Sequence, residues 1–151
     1  MRTLGLDVGT KTIGVAASDA LGLTAQTVTT LRRTRLKDDL AALAELVREY
    51  EVERFVVGLP LNMDGTEGPR AEATRRFVDA LTQALGLPVE LWDERLSTVA
   101  AQRTLLEADL SRAKRREVID QMAAQFILQG WLDAQRPLLP GHGDDDYDPD
   151  T

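Results

Sequence analysis

The spacing of apolar residues predicts three short strands followed by a helix at the start of the chain. Residues 3–9, 12–18 and 24–31 are rich in apolar and β-branched residues and are separated by turns that contain glycine. The apolar positions then change to a helical period. Those that share one helical face are Leu36, Leu40, Leu43, Ala44 and Val47.

Strands and helices alternate in the second half of the chain. The run RFVVGLP, residues 54–60, predicts a buried strand, and VELW, residues 89–92, predicts another. Between them, a loop rich in glycine leads into a helix over residues 70–85. Ser97 is suited to cap a helix that runs through Ala108, and a last helix follows the basic linker at residues 110–116. This order predicts an α/β fold in which one mixed five-stranded sheet carries helices on both faces.

The composition predicts one domain and limits the chemistry that it can perform. Residues 1–136 contain the predicted elements, whereas residues 137–151 are rich in Pro, Gly and Asp and predict a disordered acidic tail. There is no secretory signal and no run long enough to span a membrane, so we expect a cytoplasmic protein without a membrane partner. The chain has no cysteine and one histidine, His142. Any metal would therefore be held by oxygen ligands, which favours Mg²⁺ or Mn²⁺.

The net charge of −7 is unevenly distributed and does not exclude a nucleic-acid partner. Five of the acidic residues lie in the predicted tail. Basic residues cluster elsewhere, at residues 32–37, 75–76 and 112–116. Each cluster taken alone is better explained as a solvated surface, but together they permit binding to phosphates.

Three carboxylates are candidates for one catalytic site. Asp7 lies within a buried strand, Glu94 follows the fifth strand, and Asp120 lies on the inward face of the last helix, beside Ala123 and Ala124. Each has a structural alternative: a satisfied buried Asp7, a helix-capping Glu94, and an Asp120 paired one turn back along its helix. If the three converge, their mutual repulsion would favour a bound divalent cation. Two such ions could support cleavage of phosphodiester bonds.

A second group of residues is suited to bind the phosphates of a substrate. Gly9 and Gly14 permit a sharp turn and close backbone approach, while loop 60–71 and the segment after Glu94 supply further polar groups. Arg95 could instead neutralise the acidic cluster, and the glycines of the loop could supply mobility. The predicted substrate-binding residues are Thr10, Lys11, Asn62, Arg70, Arg95, Ser97 and Thr98.

Four stretches of the sequence resemble the YqgF (RuvX) family of bacterial proteins. They are GLDVGTKTIGVAASD, VGLPLNMDGTEGPRA, DERLST and VIDQMAAQFILQGWLD, and they extend from residue 5 to residue 133. Members are described as pre-16S ribosomal RNA nucleases or as resembling Holliday-junction resolvases. The resemblance implies a ribonuclease H-like fold and metal-dependent cleavage of phosphodiester bonds. By motif, it places the acidic residues of the family at Asp7, Glu94 and Asp120.

The substrate and the assembly stay open at this stage. RNA processing is favoured by the resemblance, and branched DNA is the alternative. A junction resolvase makes paired cuts and would favour a homodimer, whereas an RNA-processing enzyme needs one site. Two other interpretations are an RNA-binding assembly factor without catalysis and an actin-like ATPase. The ATPase interpretation is disfavoured because 151 residues leave no room for its two related domains.

Overall fold

The computed structural model describes residues 2–96 and 112–136, and the side chains of the last helix from Val118 onwards. The elements in chain order are β1 (Arg2–Val8), β2 (Thr12–Ser18), β3 (Ala25–Arg32), α1 (Leu36–Tyr50), β4 (Val52–Leu59), α2 (Pro69–Leu85), β5 (Val89–Asp93), a 3-10 turn (Glu94–Leu96) and α3 (Arg112–Gln135). Within these ranges no helix is long and apolar enough to cross a membrane.

The five strands form one mixed sheet in the order β3-β2-β1-β4-β5, which confirms the predicted sheet. β1 is central: it pairs antiparallel with β2 and parallel with β4, and β4 pairs parallel with β5. The carboxyl ends of β1, β4 and β5 therefore lie at the same edge of the sheet. In open α/β sheets, ligand sites form at this edge, where the strand order reverses.

One face of the sheet carries the larger hydrophobic core. Alternate residues of the central strands point to this side because successive side chains of a strand point to opposite faces. They pack with apolar residues of α1 and α2. The fully buried members of this core are Leu4, Leu6, Ile13, Val15, Leu43, Phe55, Val57 and Leu81.

The other face of the sheet carries small residues at its centre and is covered by α3. A side chain at Gly5 would meet the Cβ of Leu128 at 2.7 Å and the carbonyl oxygen of Ala124 at 3.0 Å. Ala123 and Ala124 are buried in the same contact. Small residues on both partners thus bring the helix axis close to the strands, as the paired alanines predict. Helices on both faces confirm the predicted layer arrangement.

Two predicted boundaries differ from the structure or lie outside it. The last helix begins at Arg112, inside the segment predicted as a basic linker. This segment contains no Gly or Pro, and Arg, Ala and Lys favour helix, so propensity extends α3 toward its amino end. The predicted helix from Ser97 to Ala108 and the predicted tail, residues 137–151, lie outside the described residues.

Candidate active site

Asp7 occupies the centre of the sheet edge and has a glycine on either side. It lies on the α3 face, 5% exposed, and pairs with Gly14 of β2. On the other side, Leu6 pairs with Val57, so the following residues, Asp7 and Gly58, are neighbours across β1 and β4. Because neither glycine has a side chain, space remains beside Asp7 for groups that come from other elements.

Gly14, Asp7 and Gly58 form a row across three strands of the sheet, and Asp120 approaches this row at Gly14. A Cβ atom on Gly14 would lie 1.9 Å from the backbone carbonyl oxygen of Asp120, so α3 crosses β2 in direct backbone contact. The hydroxyl of Thr12, two residues earlier on the same face of β2, donates a hydrogen bond to Oδ2 of Asp120. Backbone packing and one side-chain hydrogen bond therefore place Asp120 at the edge where Asp7 lies.

Glu94 approaches the same row from the opposite side. It begins the 3-10 turn after β5, and a Cβ atom on Gly58 would lie 2.7 Å from its Oε2. The preceding residue, Asp93, turns to the other side and forms an ion pair with Arg95 at 2.7 Å. This divergence confirms the prediction from strand alternation.

The structure thus brings elements bearing all three predicted carboxylates to one row of the sheet, Gly14–Asp7–Gly58. The ligands offered there are oxygens, which suit a hard divalent cation such as Mg²⁺ or Mn²⁺. Within residues 2–96 and 112–136, no three acidic or histidine side chains form a group ready to hold a metal ion. The donor chemistry fits the predicted cation, and the assignment of these residues as ligands stays a prediction.

The turn between β1 and β2 is held by hydrogen bonds and presents Thr10 and Lys11 to solvent. One support is the side chain of Arg33, whose Nη1 donates to the carbonyl oxygen of Gly9 at 2.9 Å. Arg33 Nε also donates to Oδ2 of the buried Asp39, at 3.2 Å. The sequence showed Arg33 only as one member of a basic cluster, so its role in positioning this turn was not predicted.

The loop after β4 is shaped by hydrogen bonds of its own. The side-chain amide of Asn62 donates to the hydroxyl of Thr66, and that hydroxyl donates to Asp64. Gly65 has a φ of +89°, a left-handed conformation that glycine adopts without strain. These contacts give the loop a defined turn, in which the amide of Asn62 already has a partner.

Arg95 connects this loop to the end of β5. Its guanidinium binds Asp93 through Nε and Nη2 and donates from Nη1 to the carbonyl oxygen of Met63 at 3.2 Å. The hydrogen bond from Arg95 lowers the pKa of Asp93, and the same contact raises the pKa of Arg95. Arg95 thus neutralises Asp93, and its contact with phosphate stays a prediction.

The other predicted substrate-binding residues divide into two groups. Arg70 is exposed in the first turn of α2 and lies with Thr10 along the wall of one pocket. Ser97 and Thr98 lie outside the described residues.

Thr12 is a residue that sequence reasoning missed. Its position two residues before Gly14 on one strand face was the available signal.

Comparison with known proteins places the chain in a family. Residues 1–134 match the sequence model of RuvX, described as Holliday junction resolvase. The chain belongs to the RuvX family. A protein of Myxococcus xanthus named "Putative pre-16S rRNA nuclease" is 74% identical over 148 residues, which are 98% of each chain. A protein of the same name from Symbiobacterium thermophilum is 65% identical, covering 93% of this chain and 97% of its own.

Solved structures confirm the ribonuclease H-like fold of this RuvX member. RuvC of Thermus thermophilus in complex with a Holliday junction aligns with a TM-score of 0.57 at 16% identity, covering 89% of this chain and 95% of RuvC. The fowlpox virus resolvase bound to its junction DNA aligns with a TM-score of 0.52 at 9% identity, covering 91% and 100%. At these identities the likeness concerns the fold alone.

Proposed function

We propose that the row around Asp7 is the catalytic centre of a metal-dependent nuclease that processes the 5′ end of pre-16S ribosomal RNA. The chain is a hydrolase of nucleic acid by its family and by relatives that are named as nucleases, among them two of 74% and 65% identity. The observation that carries the assignment of the site is the approach of Asp120 and Glu94 to the two glycines that flank Asp7.

Asp7, Glu94 and Asp120 would hold Mg²⁺ or Mn²⁺, with two ions shared among them. When bound, such ions activate a water molecule for attack on phosphorus and stabilise the charge of the leaving oxygen. The buried position of Asp7 limits access of bulk water to its carboxylate. A bound cation would therefore stabilise this carboxylate more than it would stabilise an exposed one, because charges attract more strongly where water is excluded.

Other residues of the chain would orient the site and the strand to be cut. The hydroxyl of Thr12 fixes one oxygen of Asp120, Oδ2. Thr10 and Lys11 extend from the turn that Arg33 supports, and Arg70 faces the same region from α2. These groups can contact phosphate oxygens, which position a strand without reading its sequence.

The preference for RNA comes from the relatives named as pre-16S ribosomal RNA nucleases, which are far more similar in sequence than the junction resolvases. Branched DNA is the second candidate, because the family description and the RuvC complex both refer to Holliday junctions. Paired cuts in a junction would require a homodimer, whereas RNA processing would not. A role in ribosome maturation would place the protein in the cytoplasm.

The test compares wild type with Asp7→Asn in the presence of Mn²⁺ or Mg²⁺. Substrates are an unstructured single-stranded RNA, an RNA that reproduces the 5′ precursor end, and a four-way DNA junction. Asp93→Asn is the matched control, because Asp93 lies at the same sheet edge and points away from the row. We expect Asp7→Asn to abolish cleavage and Asp93→Asn to retain it, and Ca²⁺ to support cleavage poorly because it prefers larger, looser coordination.

Folding is checked on the same preparations by thermal unfolding in EDTA. Asp7→Asn should unfold at or above the temperature of wild type, because it removes a negative charge from an acidic site. Cleavage that survives in Asp7→Asn, in protein free of contaminating nuclease, would contradict the assignment. RNA binding by both proteins without cleavage would instead support an assembly factor.

A further inference from the structure

We propose that a pocket beside the catalytic row binds one nucleobase of the strand that is cut; this inference rests on the nuclease function proposed above. The pocket lies between the end of β1, the following turn and the first turns of α2. Its volume is about 200 Å³, against about 30 Å³ for a water molecule in the liquid, so it can hold a small ring. Its principal lining residues are Val8, Thr10, Arg33, Arg70, Ala73 and Thr74.

The lining combines apolar surface with two guanidinium groups. Val8, Pro69 and Ala73 contribute the apolar part, and Arg33 and Arg70 contribute the cations. A nucleobase has a flat apolar face and polar edges, so it can use both kinds of surface at once. A phosphate alone would have no use for the apolar wall. An apolar side chain of a protein partner would have no use for two arginines.

Arg33 is already arranged for contact with a planar ligand. Hydrogen bonds to Gly9 and Asp39 fix its guanidinium, and the ring of Phe77 lies 5.1 Å from the guanidinium carbon. Proteins that bind single strands stack unpaired bases on aromatic rings and on guanidinium planes. A guanidinium that is held in place before binding loses little freedom when a base contacts it.

The pocket and the row Gly14–Asp7–Gly58 meet only at the end of β1, where they lie on opposite faces of the sheet. Val8 directly follows Asp7, so their Cα atoms are about 3.8 Å apart. Their side chains point to opposite faces of the sheet, Asp7 toward α3 and Val8 toward α1 and α2. A strand that passes over the end of β1 could therefore place a phosphate near Asp7 and a neighbouring base in the pocket. Thr10 and Arg70 line the pocket and are also predicted to bind phosphate.

The test fills the pocket without touching the carboxylates. Ala73 is exposed on α2 and lines the pocket. Ala73→Leu places a larger side chain in the pocket, which reduces the space for a base, and keeps a residue that favours helix. Ala84→Leu is the matched control, because Ala84 is also exposed on α2 but lines a different surface. Affinity for a short single-stranded RNA is measured in Ca²⁺, and cleavage is measured in Mn²⁺.

A scan with abasic sites identifies the base. The same RNA is prepared with one base removed at each position in turn. We expect one position at which base removal weakens wild-type binding about 5- to 100-fold, in line with the usual contribution of one stacked base. Ala73→Leu should bind the intact RNA more weakly by a similar factor and lose the sensitivity at that position, whereas Ala84→Leu should behave as wild type.

The outcomes separate this inference from the function on which it rests. If wild type cuts RNA but the abasic scan is flat, or if Ala73→Leu binds as wild type does, the pocket does not hold a base and the nuclease assignment stands. If wild type neither binds nor cuts any nucleic acid, both proposals fail. Should Ala73→Leu fold poorly, the abasic scan on wild type decides alone.

Discussion

A methyl group on Gly14 would collide with the helix that carries Asp120. The added Cβ would lie 1.9 Å from the Asp120 carbonyl oxygen and 2.4 Å from its carbonyl carbon, whereas ordinary contact begins near 3.4 Å. Strand and helix would have to separate by about 1.5 Å. Because the atoms on both sides belong to the backbone, no side-chain rotation can relieve the contact. We expect Gly14→Ala to lower the free energy of unfolding by about 1–3 kcal/mol.

The same displacement should affect catalysis more than stability. Asp120 would move relative to Asp7, and a misplacement of about 1 Å in an active site can cost about 100-fold in rate. The control is Gly5→Ala, which crowds the same helix at Leu128 and Ala124, farther from the carboxylates. Stability is measured by urea denaturation, and cleavage under single-turnover conditions at a temperature where both variants are folded.

The comparison of the two variants is decisive. Gly14→Ala should lose about 100-fold or more in rate, while Gly5→Ala should lose stability and keep most of its rate. If Gly14→Ala retains wild-type stability and rate, the close approach of α3 to β2 does not exist in solution. If both variants lose rate in proportion to stability, the position of Asp120 has no special importance.

Two further predictions concern individual hydrogen bonds. Thr12→Val keeps the shape of the side chain but removes the hydrogen-bond donor to Asp120, so we expect the cleavage rate to fall about tenfold with folding retained. Thr12→Ser keeps a hydroxyl and should restore the rate. Equal cleavage rates in wild type and both variants would contradict this role of Thr12. The contact with Arg95 lowers the pKa of Asp93 in the folded protein, so it stabilises the fold above about pH 4 and this stabilisation is lost as the pH falls through the lowered pKa. Asp93→Asn should therefore be less stable than wild type at pH 7 and approach it at acidic pH in urea denaturation. The difference should be small and should shrink in high salt, because the pair is partly exposed; a difference independent of pH would contradict it.

Local patterns in the sequence were sufficient for the elements and for the chemistry of the site. Apolar periodicity placed the five strands and the helices over residues 36–50 and 69–85 to within a few residues. The absence of cysteine and the single histidine limited any metal to oxygen ligands. Alternation along a strand showed that Asp93 and Glu94 diverge, because the side-chain period of a strand is two. Each of these conclusions depends on residues that are close together in the chain.

Only the tertiary structure decided which residues far apart in the chain come into contact. The order β3-β2-β1-β4-β5 makes β1 central and sets glycines beside Asp7 from β2 and β4. Thr12 and Asp120 are 108 positions apart, and nothing in the period of either segment links them. Arg33 looks like any other residue of a basic cluster until the fold brings the carbonyl oxygen of Gly9, 24 positions earlier, to its guanidinium. Local spacing specifies which face a side chain occupies, whereas only the packing of the elements specifies what that face contacts.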